Sequence, residues 1–336
     1  MLRMIVNSNM GRQDTRFGGT NQLIWIKKRP SSVLLVVVAL ALAACGGSGD
    51  GGGSASSSPA RTIEHAMGET EVRGTPKRVV VLDTGELDSA ISLGVKPVGS
   101  VEAVEGLGLP SYLEGTDGIE NVGTIEEPNL EKIATLNPDL ILSSKLRHEQ
   151  IYDQLSQIAP TVFTETTGVT WKENFAKHAE AMNRAQRGEG VMAGYDDRLG
   201  RFEGAMGDRL GETEVSVVRF LPGETRIYQR ESFIGTVLED AGLPRPPSQN
   251  VDEFAILNVS EEEIPKMDGD AVFVTVYGAP EDSTEERITS DPLWQRLEAV
   301  RQDRVYEVSD DLWMLGIGPT AAAEVVDDLE KDLSEN

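Results

Sequence analysis

Three cationic side chains crowd into four positions of a strongly acidic chain. Lys145, Arg147 and His148 lie in "ILSSKLRHEQ" (141–150), directly after an apolar run, yet the 336 residues carry a formal net charge of −25. A guanidinium presents a planar donor fork to carboxylate oxygens, and an ammonium adds a point charge. Such a cluster can be a solvated helix start, an anion site or a nucleic-acid patch. The overall charge argues against nucleic acid, which requires Lys and Arg spread over a broad face. Cations are also mildly unfavourable at a helix N-terminus. That local penalty favours an anion site, and screening beyond roughly 10 Å makes one workable in an acidic protein. His148 has a structural alternative, as a donor to a backbone carbonyl.

The second half of the chain supplies further candidates. Arg219 follows the strand-like run 214–218, and a strand-end salt bridge is its plain alternative. In "RIYQRES" (226–232), alternation puts Tyr228 and Arg230 on one face, with Arg226 also there. An exposed edge strand would look the same. Tyr277 ends the run "DAVFVTVY" (270–277) and is a weaker candidate contact. Trp313, in "DDLWMLGIGP" (310–319), is expected as an exposed loop aromatic that packs on a ligand, with a buried lid over the core as the alternative. "GIGP" reads as a tight turn into a helix with proline at its first position.

Catalytic and metal motifs are sparse. The sequence has no G-x-S-x-G elbow and no P-loop lysine motif. Its three histidines, His65, His148 and His178, are too scattered to suggest a zinc or manganese site. No protein-held metal, cofactor or catalytic group is therefore expected.

The elements that must position these residues begin late in the chain. Lys27, Lys28 and Arg29 precede an apolar run, Val33 to Leu42, which ends in Leu42-Ala43-Ala44-Cys45. A basic segment, a short apolar segment and small residues describe a secretory signal over 1–44. "LAAC" resembles a bacterial lipobox, in which Cys45, the only cysteine, becomes the lipidated N-terminus. Residues 1–44 hold six basic groups and one acid, so cleavage takes the formal charge to −30. Residues 45–61 read as a Gly/Ser tether. Strand-like and helical runs then alternate, which argues for α/β architecture with mostly parallel sheets. The expected division is an N-terminal lobe over 62–170, a helical region over 171–210 and a C-terminal lobe over 211–336. Within the helical region, "RGEG" (187–190) is expected to separate two helices, the second bridging the lobes.

One internal echo is informative. "NLEKIATLNPDLIL" (129–142) and "SEEEIPKMDGDAVF" (260–273) share a plan at an offset of 131, with Glu131 on Glu262 and Asp139 on Asp270. Two similar lobes would produce it, as would any pair of α/β units.

"SKLRHEQIYDQLSQIAPTV" (144–162), "VSVVRFLPGETRIYQRESFIGTVLEDAGLPRP" (215–246) and "DLWMLGIGPTAA" (311–322) resemble the lipid-anchored substrate-binding proteins of iron–siderophore ABC importers, nearest to those that take citrate-based hydroxamate or carboxylate siderophores. The resemblance spans nearly all of 60–336. It implies two Rossmann-like lobes joined by one long helix, with the ligand between them and a small closing motion. It also implies a ferric siderophore as ligand, with the iron's coordination sphere already filled. The implied partners are an ABC permease pair with a cytoplasmic ATPase, and the membrane through the lipid on Cys45, at the extracytoplasmic face. The chain is expected to act as a monomer. The resemblance implies Lys145, Arg147, His148, Arg219, Tyr228, Arg230, Tyr277 and Trp313 near the ligand, and one permease-docking acid per lobe, Glu131 and Glu262. Haem or a corrinoid held by Tyr228, Tyr277 or His148 is the nearer alternative, and a lipid-tethered hydrolase the remote one.

Overall fold

The computed structural model describes residues 59–334, so the signal segment, Cys45 and the linker as far as residue 58 lie outside the described residues. An antiparallel hairpin comes first, β1 (Ala60–His65) with β2 (Gly68–Arg73). Its first strand thus begins at the end of the stretch read as tether. The first lobe continues with β3 (Val79–Val81), α1 (Thr84–Ser92), β4 (Gly99–Glu102), β5 (Glu120–Thr124), α2 (Leu130–Thr135), β6 (Leu140–Ser144), the one-turn α3 (Lys145–His148), α4 (Tyr152–Ile158) and β7 (Thr161–Thr164). Its strands lie in the order β5-β4-β3-β6-β7, all parallel. "VVV", "LILSS" and "TVFT" are wholly buried. Unbroken burial of this kind follows from a parallel sheet covered on both faces.

Two helices lead out of this lobe, α5 (Trp171–Ala181) and α6 (Ala185–Met206). The break between them is not at "RGEG", which lies inside α6, but at Asn183, whose φ of 56° stops α5. Glycine lowers helix propensity by about 1 kcal/mol, but tertiary packing overrides that here. A Cβ on Gly188 would come within 3.0 Å of the Ala179 Cβ, so the glycine lets α6 lie close against α5. The long helix then passes from one core to the other. Val191 packs on the first lobe's core, whereas Tyr195, Phe202 and Met206 are buried in the second.

The second lobe holds β8 (Val215–Leu221), β9 (Glu224–Tyr228), α7 (Phe233–Asp240), β10 (Ala255–Ile256), β11 (Ala271–Val276), α8 (Glu285–Thr289), α9 (Glu298–Arg301), β12 (Val305–Glu307) and the closing α10 (Pro319–Ser334). Its order is β10-β9-β8-β11-β12, with β8, β11 and β12 parallel and β9 antiparallel to its neighbours. The internal echo is real in topology. β6 and β11 both flank the central strand of their sheet, and each follows a short helical element, α2 or the 3₁₀ turn Glu261–Met267.

The lobes are tied by buried polar contacts. Asp88 on α1 is fully buried, and its carboxylate accepts the backbone N–H groups of Thr320 and Ala321, each at 2.9 Å, in the first turn of α10. The Tyr112 hydroxyl donates to it at 3.2 Å. Gly318 makes this possible, because a Cβ there would lie 2.5 Å from the Asp88 Cγ. Nearby, the Ser111 N–H and hydroxyl both donate to Asp311 of the other lobe, at 2.5 and 2.7 Å.

Candidate functional site

A cavity of about 520 Å³ lies between the lobes. Open α/β sheets bind ligands beyond the carboxyl ends of their strands, and the first lobe follows that rule. Asp83 and Thr84 come after β3, Leu146 and Arg147 after β6, and Thr166 to Val169 after β7. Across the gap stand Arg219, Arg226 and Tyr228, the start of α7, Phe254, and the turn Trp313–Leu315.

The basic triad separates into three roles. Arg147 lines the cavity, and its Nε donates to the buried Asp83 carboxylate at 2.8 Å. Burial opposes its charge, but Asp83, then Glu86 and Glu126, outweigh that and raise its pKa. Lys145 turns aside to Glu165, 3.1 Å away, and that hydrogen bond raises its pKa. It does not line the cavity. His148 is buried behind the site. Its Nε2 faces the Ile125 carbonyl and its Nδ1 the Ser143 hydroxyl, both at 2.6 Å. A carbonyl only accepts, so Nε2 carries the proton, and burial lowers the ring's pKa. The ring is therefore a neutral brace on the loop that carries Ile125.

Arg219 does not follow its strand but sits inside β8, buried. Its Nε and Nη2 grip Asp310 at 2.7 Å each, and Nη1 donates to the Tyr228 hydroxyl at 3.3 Å. The plain alternative, a salt bridge, is thus formed, yet the side chain still lines the cavity. Burial works against the charge, but the Asp310 hydrogen bond leads the groups that raise its pKa. The Tyr277 ring lies 4.8 Å from the guanidinium carbon, a cation–π contact outside the cavity wall.

The expected face of Tyr228 and Arg230 divides. Alternation holds only while the strand continues, and β9 stops at Tyr228. Arg230 then points away from the cavity, to Asp252 at 3.0 Å and Glu239 at 3.7 Å. Arg226 shares the cavity wall with Tyr228 and pairs with Glu224 at 2.6 Å. Trp313 is not an exposed loop aromatic. It is 1% exposed, stacked on Phe273 at 4.7 Å, with its indole N–H on Asp328 at 2.9 Å. It borders the cavity as part of a rigid wall, on the single wide helical turn Asp311–Leu315.

Sequence reasoning missed the acids behind the arginines. Asp83 and Glu86 stand in "LDTGELD" (82–88), and both are buried. Burial, then the charge of Asp83, pushes Glu86 up to about 8. It missed as well the two large apolar side chains left open at the cavity, Leu146 and Phe254, which are 62% and 49% exposed. The docking candidates Glu131 and Glu262 are both exposed on their helical turns. Their neighbours are engaged, Glu261 with Arg287 and Glu263 with Lys266. Among the described residues, no group of three or more His, Cys, Asp or Glu side chains is placed to hold a metal ion.

Comparison with known proteins matches residues 79–312 to the family described as periplasmic binding protein. The probable siderophore-binding lipoprotein YfiY of Bacillus subtilis is 41% identical over 285 residues, covering 81% of this chain and 87% of that one. The Fe(3+)-citrate-binding protein YfmC of the same organism is 31% identical over 259 residues, covering 76% and 80%. The crystal structure of Staphylococcus aureus SirA complexed with staphyloferrin B superposes with a TM-score of 0.73 at 36% identity, covering 81% of this chain and 98% of that one.

Proposed function

The chain belongs to the periplasmic binding protein family, and on that footing we propose that it captures an anionic ferric siderophore outside the cytoplasmic membrane and hands it to an ABC permease. The observation that carries this reading is the convergence of Arg147, Arg219 and Arg226, from two lobes, on one cavity. Each guanidinium is held in place by an acid and lines the cavity. Planar forks of this kind suit the carboxylate oxygens of a citrate-based ferric complex. The siderophore fills the iron's coordination sphere, so no protein atom needs to reach the metal. The protein acts by binding, as a monomer, and lipid on Cys45 keeps it at the extracytoplasmic face of the membrane. Similarity to a relative named as a lipoprotein supports that placement.

The haem or corrinoid alternative is weakened by what its axial candidates already do. Both His148 nitrogens are bonded, the Tyr228 hydroxyl accepts from Arg219, and the Tyr277 ring lies beside the same guanidinium. The deciding experiment is a titration of the purified full chain with ferric siderophores, read by tryptophan fluorescence, since Trp313 borders the cavity. Saturable quenching by a ferric citrate-hydroxamate complex is expected, weakened at least tenfold in Arg147→Ala or Arg219→Ala. No response across a siderophore panel, with haem binding instead, would overturn the proposal.

A further inference from the structure

The cavity's polar groups are largely matched before any ligand arrives. Arg147 has Asp83, Arg219 has Asp310, and Arg226 has Glu224. Three guanidiniums so arranged hold a carboxylate-rich complex but offer little to tell one such complex from another. Much of the remaining wall is apolar. Leu146 and Phe254 are the two exposed large hydrophobic residues that line the cavity, among the described residues, and they stand on opposite lobes. Both are fixed by their backbones. The Leu146 N–H donates to the Glu165 carbonyl at 3.2 Å, and the Phe254 carbonyl accepts from the Gln229 N–H at 3.0 Å. The Phe254 ring also meets the Tyr228 ring edge-on at 5.3 Å. Side chains held like this do not fold away into a core. Their hydrated surface is removed from water only by something that enters between the lobes.

We propose that Leu146 and Phe254 set the ligand preference of the cleft by closing from the two lobes on the hydrocarbon part of a ferric siderophore. This rests on the reading of the cleft as a siderophore site. Ferric citrate offers the arginines carboxylates but has no hydrocarbon arm. A citrate core whose two terminal carboxyls carry hydroxamate arms as amides keeps the central carboxylate and adds runs of methylene groups. The arginines hold the core of either complex, whereas the apolar pair rewards only the second. Leu146 sits beside Arg147 and Phe254 beside the Tyr228–Arg219 contact, so core and arms are engaged together.

The test compares two ferric complexes on the purified full chain, ferric citrate and a ferric citrate-bis(hydroxamate) with methylene arms. The intact protein should favour the second by at least tenfold. Leu146→Ser and Phe254→Ser should each lower that ratio about fivefold, and the double variant should bring it near one, with ferric citrate affinity held within about twofold. Both side chains are exposed, so the thermal midpoint of each variant should stay at the parent value. Equal binding of the two complexes by the intact protein overturns the inference alone, as does an unchanged ratio in the double variant. Binding of neither complex overturns the siderophore reading and this inference with it.

Discussion

Glu86→Gln should stabilise the protein, and the gain should grow with pH. Glu86 is buried on α1, next to Asp83 and 3.8 Å from the ring of His178. Burial, then the Asp83 charge, holds its pKa at about 8, against 4.5 for the free side chain. Between those values the folded state keeps a proton that the unfolded state releases. Stability therefore falls as pH rises from about 4.5 to about 8, and levels off above. Each pH unit in the window is worth about 1.4 kcal/mol at most. Glutamine has the shape of the protonated acid and does not titrate. The variant should match the parent near pH 4.5 and exceed it by up to about 3 kcal/mol at pH 7. That corresponds to roughly 6–12 °C in thermal midpoint.

His178 makes the comparison sharper. Burial lowers its pKa to about 3, from 6.5. The unfolded state binds the extra proton there, so this residue adds stability as pH rises from about 3 to 6.5. In the parent protein the two slopes oppose each other between about 4.5 and 6.5, and only the loss from Glu86 continues to about 8. Thermal melts of parent and variant at several pH values from 5 to 8 isolate the Glu86 contribution, because His178 is common to both. Parallel melting curves at a constant offset would refute the reasoning, as would a variant less stable than the parent at pH 8.

Two further outcomes follow from the lobe contacts and the exposed acids Glu131 and Glu262. Asp88→Ala leaves the buried N–H groups of Thr320 and Ala321 without an acceptor, so denaturant unfolding should show a loss of about 3–5 kcal/mol; a loss under about 1 kcal/mol would remove Asp88 as the tie between the lobes. Glu131→Ala combined with Glu262→Ala should abolish siderophore uptake in cells while leaving the affinity of the purified chain intact, and normal uptake would rule out these acids as the permease contacts.

What could be read from the sequence divides along local and non-local lines. Runs such as "VVV", "LILSS" and "AVFVTV" declared buried strands because a covered parallel sheet makes every position apolar or small. The opening hairpin escaped notice because only Ile63 and Val72 in its strands are buried, so it resembles the polar stretch before it. The helix break was misplaced because propensity marks glycines, whereas a left-handed Asn183 and the close seat of Gly188 on Ala179 decided it. At the site, residue types pointed to Arg147, Arg219 and Tyr228. Alternation then carried too far and took Arg230 along, because no local signal marks where a strand ladder ends.

The pairing of the arginines lay beyond local reading for a different reason. Asp83 lies 64 positions from Arg147, and Asp310 lies 91 from Arg219. Pairing of this kind does more than neutralise charge. A free arginine loses roughly 2 kcal/mol of rotamer freedom when a ligand immobilises it. Arg219, gripped on Nε and Nη2, has already lost that freedom on folding. Its partner acid weakens the attraction for an anion, but the guanidinium's place in the cavity wall is set before the ligand arrives. For a bulky complex that meets several guanidiniums at once, fixed geometry at each one lowers the ordering cost of binding. The acids and the arginines are therefore one device. Removing Asp310 should harm binding even though it raises the local positive charge, the opposite of what charge counting alone requires.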